Sequence, residues 1–175
     1  MQKEQYDFLI RGLLAEDIQL LATTFCFPWS TFEVTLEKWR RYYEEQKDQL
    51  RTVCVIQKGD QLVGYGSLIY TPEYAHFKTS SIPEVSDVWI ASHERKKGLG
   101  ARLISFLEKV AKERGFTEVG IAVGLYGDYG QAQRLYCKLG YLPDGQGITY
   151  KGVSVVPGEN YPVDDDLVLW LTKTL

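Results

Sequence analysis

Arg95-Lys96-Lys97-Gly98-Leu99-Gly100-Ala101 is the stretch from which the rest of the chain is read. It stands between an extended apolar segment, residues 85–91, and an amphipathic helix expected over residues 99–114. The helix's expected buried stripe is Leu103, Phe106, Leu107 and Val110, and Gly115 stands where a glycine commonly ends a helix. Gly98 and Gly100 let the backbone approach a ligand closely and adopt conformations that a Cβ resists. The N–H groups of the opening helical turn lack intrahelical partners and point toward one spot, with the positive end of the helix dipole behind them. Arg95, Lys96 and Lys97 flank that spot, and each helix-end charge interaction is worth about 0.3–1 kcal/mol. The stretch lacks the Gly-Lys-Ser/Thr ending that holds Mg²⁺ in a nucleotide loop. It also lacks the third glycine of the dinucleotide fingerprint, and it follows several strands instead of opening the fold. Its plainer reading is a tight turn with solvated basic residues. A pyrophosphate is the guest that fits it best.

Toward the N-terminus the pattern predicts a strand over residues 6–11 and an amphipathic helix over 15–25, with Ile18, Leu21, Ala22 and Phe25 at helical spacing and Pro28 as the break. Ser30-Thr31-Phe32-Glu33 reads as a capping box, in which Ser30 and Glu33 satisfy orphan backbone donors. The helix it opens carries Phe32, Leu36, Trp39 and Tyr43 on one face. Residues 52–57 and 61–70 form a hairpin about Lys58-Gly59-Asp60, and a loop with Pro72 and Pro83 leads to the strand at 85–91. Toward the C-terminus follow a strand at 119–123, a helix at 130–139 ended by Gly140, and two closing strands at 148–156 and 166–172. This order predicts a mixed α+β fold with helices on both faces of the sheet, and the unbroken periodicity over residues 1–175 reads as a single domain.

At 175 residues, 45% hydrophobic and 25% charged, the chain has the balance of a folded globular protein. A net charge of -3 argues against nucleic acid as the main partner. Cys26, Cys54 and Cys137 are odd in number and lack metal-type spacing, so they read as reduced, buried thiols. His76 and His93 are the only histidines, which excludes a His-rich metal site. The opening Met-Gln-Lys-Glu-Gln shows no secretory pattern and no apolar run approaches the ~20 residues needed to span a bilayer, so a cytoplasmic protein with no membrane partner is expected.

Arg95-x-x-Gly98-x-Gly100 after a strand resembles the coenzyme A pyrophosphate loop of the GCN5-related N-acetyltransferase (GNAT) family. A second block, Ala132, Leu135, Tyr136, Gly140 and Tyr141, resembles that family's Ala-x-x-Leu-Tyr-x-x-x-Gly-aromatic signature on the following helix. The likeness covers essentially the whole chain. It implies a mostly antiparallel twisted sheet of about seven strands, splayed between the fourth and fifth. It also implies acetyl-CoA as cosubstrate and an amine as acceptor, and it leaves room for a homodimer. The pyrophosphate would lie on residues Arg95, Lys96, Lys97, Gly98, Leu99, Gly100 and Ala101, and the pantetheine arm would pair with the backbone of the fourth strand. One N–H of Val88, Trp89 or Ile90 would stabilise the tetrahedral oxyanion. Ala132 belongs to the same signature, but Tyr129 stands where many relatives carry a pantetheine-contacting asparagine.

The chemistry makes two demands. An amine of lysine-like pKa ~10.4 is protonated at neutral pH and must lose a proton before attack, whereas a leaving thiolate of parent pKa ~8.5 needs only a weak acid. Tyr136 matches the family's tyrosine and is the expected acid, since a phenol stays neutral at rest. Glu84 occupies the position of the glutamate in the histone-modifying branch. Asp87, three residues on in the same strand, faces oppositely unless a bulge intervenes. Either carboxylate, or a water relay, can serve as base.

On the acceptor side, Trp29, Phe32, Trp39, Tyr42 and Tyr43 are interspersed with Glu33, Glu37, Glu44 and Glu45. An aromatic wall with carboxylates can hold an amine, but packing aromatics and solvated carboxylates are the plainer reading. Asp164-Asp165-Asp166 reads as a solvated charge run before the last strand. The leading expectation is an enzyme moving an acetyl group to a primary amine. The alternatives are a noncatalytic acyl-CoA sensor, which would bind without thiol release, and a nucleotide binder, which would prefer ATP.

Overall fold

The computed structural model describes residues 8–175. Two compact units emerge, one formed by residues 8–68 with Asp87–Leu107, the other by Ile69–Ser86 with Glu108–Leu175. The strand order is β1-β2-β3-β4 through the first and β4-β5-β8-β6-β7 through the second, with β4 contributing residues to each.

In the first unit β1 (Phe8–Gly12) runs antiparallel to β2 (Arg51–Lys58), from Phe8 opposite Lys58 to Gly12 opposite Cys54. The strand expected at 6–11 is thus β1 in its described part, and residues 6 and 7 lie outside the described residues. β2 and β3 (Gln61–Ile69) turn about Gly59 and Asp60, as the hairpin pattern predicts. Helices α1 (Asp17–Thr24) and α2 (Phe32–Lys47) pack on a core of Leu21, Phe25, Trp39, Tyr42, Val53 and Tyr65. The rings of Phe25, Trp39 and Tyr65 meet edge to face at 4.7–4.9 Å between centroids. Such pairs add about 0.5–1.5 kcal/mol beyond their buried area. The expected capping box is not made, and the N-cap lies one residue further on. Thr31 is the N-cap of α2, its hydroxyl accepting from Val34 N at 3.3 Å, and Ser30 instead shares a hydrogen bond with Thr35.

β4 (Glu84–Ile90) leads through a single turn at Ser92–Glu94 to α4 (Leu99–Glu113). The buried apolar positions of α4 are Leu99, Leu103, Ile104, Leu107 and Ala111, with Glu108 buried beside them, so its stripe is rotated by about one residue from the expected one, and Phe106 and Val110 are only half-buried.

In the second unit β4 pairs in parallel with β5 (Glu118–Gly124) at only two positions, Glu84 opposite Gly120 and Val85 opposite Ile121. β5 is antiparallel to β8 (Leu167–Thr174) along its whole length, and β8 to β6 (Leu142–Tyr150) with an irregularity between Pro143 and Ile148. The sheet is therefore mixed and mostly antiparallel, with eight strands where about seven were expected. The extra one is β7 (Val153–Ser154). Lys151 and Gly152 both take positive φ, 51° and 76°, and reverse the chain inside what reads in sequence as one strand.

The segment between Pro72 and Pro83 is not all loop. Residues Ala75–Ser80 form the short helix α3, whose six residues are too few to show a period. Its Phe77 is buried against Tyr74 and Trp170, and the last two rings stack at 4.1 Å. α5 (Gly130–Lys138) completes the unit.

Cys54 is buried as expected, and its thiol is pushed up to about 12 by desolvation, but Cys26 and Cys137 are exposed. No described helix is long and apolar enough to cross a membrane.

The closest packing in the second unit sets a test. A Cβ on Gly120 would lie 2.1 Å from the ring of Phe77, which is fully buried. Gly120→Ala should lower the unfolding free energy by about 1–3 kcal/mol in urea titrations. Gly12→Ala, where nothing lies within 4 Å, should change it by less than about 0.5 kcal/mol. Equal stability of the two variants would contradict this packing.

Candidate active site

The glycine-bearing turn enters α4 through two residues of positive φ. Lys96 and Gly98 adopt positive φ, 61° and 79°, and swing the chain from Arg95 into α4. The first bond inside the helix runs from Arg102 N to Gly98 O at 3.1 Å. The amides of Leu99, Gly100 and Ala101 are therefore the donors that a helix start leaves over. No acidic residue lies in the first turn, so nothing in it opposes an incoming anion.

The three flanking cations are not equivalent. Arg95 donates through Nε to Ile90 O at 2.9 Å and lays its guanidinium 4.9 Å from the centre of the Trp89 ring. It thereby ties the turn to Trp89 and Ile90 at the end of β4. Lys97 Nζ is 2.8 Å from Glu94 Oε2, and Lys58 Nζ is 2.7 Å from Glu94 Oε1. Lys97 is the only one of the three with an ion pair among the described residues, and Lys96 has neither an ion pair nor a side-chain hydrogen bond there. Glu94, only 3% exposed, is a residue the sequence reading missed. Its hydrogen bonds to Lys58 and Lys97 lower its carboxyl to about 2. A glutamate just before a basic run was the available signal, but its second partner is 36 residues away.

Asp87 is the second centre of the first unit. Its φ of 53° places a non-glycine residue in the left-handed region in the middle of β4. Such a conformation costs on the order of 1–3 kcal/mol unless surroundings hold it, and it breaks the alternation of faces as a bulge does. The surroundings are explicit. Tyr42 Oη donates to Asp87 Oδ2 at 2.6 Å, Arg51 Nη1 lies 3.6 Å from the same oxygen, and Lys38 Nζ is 3.9 Å from Oδ1. The Arg51 guanidinium also stacks 3.8 Å from the centre of the Tyr42 ring. Burial first, and then the Asp87 charge, raise the Tyr42 phenol above its ordinary range, so it stays a donor.

The aromatic residues of the expected acceptor wall divide. Trp39 and Tyr42 belong to the core, Phe32 and Tyr43 pack partly against it, and Trp29 is 75% exposed and stacks on Phe27, which meets Trp89 edge to face. Glu33, Glu37 and Glu44 are exposed on α2, and Glu45 holds Arg51 at 2.7 Å.

In the second unit Tyr136 lies on α5, only 8% exposed. Desolvation pushes its phenol up to about 12, so it keeps its proton at neutral pH. Ala132 is half-buried on the same helix, and Gln133 Nε2 donates to the carbonyl of Gly124 at the end of β5, 2.8 Å away. Tyr129 packs its ring so close to Gly124 that a Cβ there would lie 2.4 Å from it. The Tyr129 hydroxyl donates to Asp165 at 2.9 Å, and Tyr126 donates to the same oxygen. Asp164 accepts from Tyr150 at 3.1 Å. The acidic run at 164–166 is thus not simply solvated, because two of its carboxylates anchor tyrosines from other segments. Glu84 is half-buried where β4 pairs with β5.

The acetyltransferase (GNAT) family profile matches residues 16–141. Among solved structures, the ribosomal-protein-alanine N-acetyltransferase of Brucella melitensis aligns at 22% identity and a TM-score of 0.69, covering 95% of this chain and 99% of that one. An N-acetyltransferase from Staphylococcus aureus Mu50 aligns at 15% identity and a TM-score of 0.70, over 96% and 98% of the two chains. An alpha-N-protein acetyltransferase in complex with coenzyme A aligns at 10% identity and a TM-score of 0.70, over 96% and 94%. At such identities the likeness is one of fold. No curated protein matches the sequence.

The buried Glu94 gives this geometry a pH signature. Its carboxyl is lowered from an ordinary 4.5 to about 2, so its contribution to stability is complete above about pH 4.5 and fades as the pH falls toward 2. Glu94→Gln should be less stable than the parent at pH 7, and urea melts should show the gap closing between about pH 4.5 and 2. A gap that is constant over that range would contradict the ion-paired Glu94.

Proposed function

Because the chain belongs to the GNAT acetyltransferase family, we propose that it moves the acetyl group of acetyl-CoA to a primary amine by direct attack on the thioester. The observation that carries this reading is the turn into α4, where left-handed Lys96 and Gly98 leave three amides over beside an unpaired ammonium. A diphosphate fits that donor set. The amides of Leu99, Gly100 and Ala101 supply directed hydrogen bonds, Gly98 lets the backbone come close, and Lys96 supplies charge. Arg95 and Lys97 serve by fixing the turn, one on Trp89 and Ile90, the other on Glu94.

The extended backbone of Val88, Trp89 and Ile90 follows the kink at Asp87 and is the segment we assign to the pantetheine arm and the oxyanion. Asp87 Oδ2 is engaged by Tyr42 and faced by Arg51, which supports a positioning role in holding the kink. Glu84, or water, is then the favoured base for the external amine. Tyr136 is the favoured acid, because a phenol raised to about 12 holds its proton until a thiolate is generated. Tyr129, fixed by Asp165 and Gly124, takes the place of the family's asparagine beside the arm, with Ala132 on the helix that follows.

Thiol release with acetyl-CoA and a panel of amines tests the reading directly. Tyr136→Phe should lower kcat by roughly 10- to 1000-fold with little change in coenzyme affinity. Wild-type turnover in that variant would remove the phenol from the mechanism. Gly98→Val, which forces a branched residue into positive φ at a strain of about 1–2 kcal/mol, should weaken coenzyme binding roughly tenfold. Coenzyme binding without thiol release from any amine would make the chain a sensor instead of an enzyme.

A further inference from the structure

Lys38 on α2 has surroundings unlike those of the other helical lysines in the chain. Its Nζ lies 5.2 Å from the Trp39 ring centre, 5.1 Å from that of Tyr42 and 5.6 Å from that of Tyr65, besides the 3.9 Å to Asp87 Oδ1. Three rings and one carboxylate around an ammonium are how a protein receives a cationic amine. Here the amine is the chain's own. By contrast Lys47 and Lys109 pair with glutamates of their own helices, with side chains 55% and 70% exposed against 30% for Lys38.

The two oxygens of Asp87 are used differently. Oδ2 takes the Tyr42 hydroxyl and faces Arg51, whereas the ion pair at Oδ1 is with Lys38. At 3.9 Å that pair is longer than a hydrogen bond, so a proton passing from the amine to Oδ1 crosses one bridging water. Asp87 immediately precedes Val88–Trp89–Ile90, the backbone assigned above to the acyl carrier.

We propose that Lys38 is an acyl acceptor within its own chain and becomes acetylated by acetyl-CoA. The proposal rests on the acyltransferase reading above. The ammonium gives a proton to Asp87 Oδ1, and the freed Nζ lone pair attacks the thioester carbonyl carbon. As the C–S bond breaks, the nitrogen of the tetrahedral adduct gives up its second proton to the sulfur, which leaves with the bonding pair as the free thiol. The products are Nε-acetyl-Lys38 and coenzyme A. The neutral amide no longer pairs with Asp87 or binds the three rings as a cation, so Oδ1 is released to receive another ammonium.

Uncatalysed acetylation by a thioester follows exposure, and would modify Lys47, Lys109 and Lys151, with side chains 55%, 70% and 66% exposed, ahead of Lys38. The full chain should therefore be incubated with acetyl-CoA near neutral pH at protein concentrations spanning about a hundredfold, and each lysine's acetyl occupancy followed by peptide mass spectrometry. Lys38 should gain a single acetyl group at least about tenfold faster than those three, as expected of a held intramolecular amine, with a half-time independent of protein concentration. A rate at Lys38 equal to or below theirs would overturn the proposal, and so would a half-time that shortens with concentration. Amine-dependent thiol release in the same samples separates the two readings. Acetylated amines with unmodified Lys38 defeat this inference alone, whereas neither product defeats acyl transfer itself.

Discussion

Asp87 carries a backbone conformation that its residue type tolerates but does not prefer, and the course of β4 beyond it depends on its being held there. The hold comes from residues distant in sequence. Tyr42 arrives from α2 and Arg51 from β2, and both converge on one carboxylate oxygen while the guanidinium stacks on the phenol ring. Removing Asp87 leaves the buried Tyr42 hydroxyl and Arg51 guanidinium without their shared counterpart, which is costlier than the loss of a surface ion pair. A carboxylate that sits next to the proposed oxyanion donors is then primarily a structural clamp. Its second oxygen is the one with chemistry left to do.

The turn into α4 is organised by the same economy of charge. Glu94 lies buried among cations and neutralises Lys58 and Lys97, and Arg95 is committed to the end of β4. What reads in sequence as a cluster of three equivalent positive charges is thus a rigid bend with one ammonium to spare. A diphosphate would be recognised there by directed amides more than by bulk positive charge, in keeping with a chain whose net charge is -3.

The parts of this arrangement that were legible in the sequence are those encoded locally. Glycine spacing, a basic run and helical periodicity marked the turn, α4 and α5, and the Lys58-Gly59-Asp60 turn between two strand-like runs marked the hairpin of β2 and β3. The possibility that Asp87 escapes strand alternation through a bulge was also readable, though not what would hold it. Features built from long-range contacts were hidden. Glu94 and Lys58 are 36 residues apart, Tyr129 and Asp165 likewise, and Tyr42 and Asp87 are 45 apart. Periodicity also fails for elements shorter than two of its repeats, which is why α3 read as loop and why β7 merged with β6. The N-cap of α2 shifted from Ser30 to Thr31 because two adjacent hydroxyls compete for one role, and Ser30 found a partner in Thr35.

The central claim is that the backbone amides opening α4 grip the coenzyme's diphosphate. Residue-resolved amide hydrogen exchange with and without saturating coenzyme A measures this at the atoms concerned. Exchange at Leu99, Gly100 and Ala101 is expected to slow by at least about tenfold on binding, because those N–H groups gain the acceptors that the helix start denies them. Unchanged exchange at all three, with the coenzyme demonstrably bound, would contradict the account.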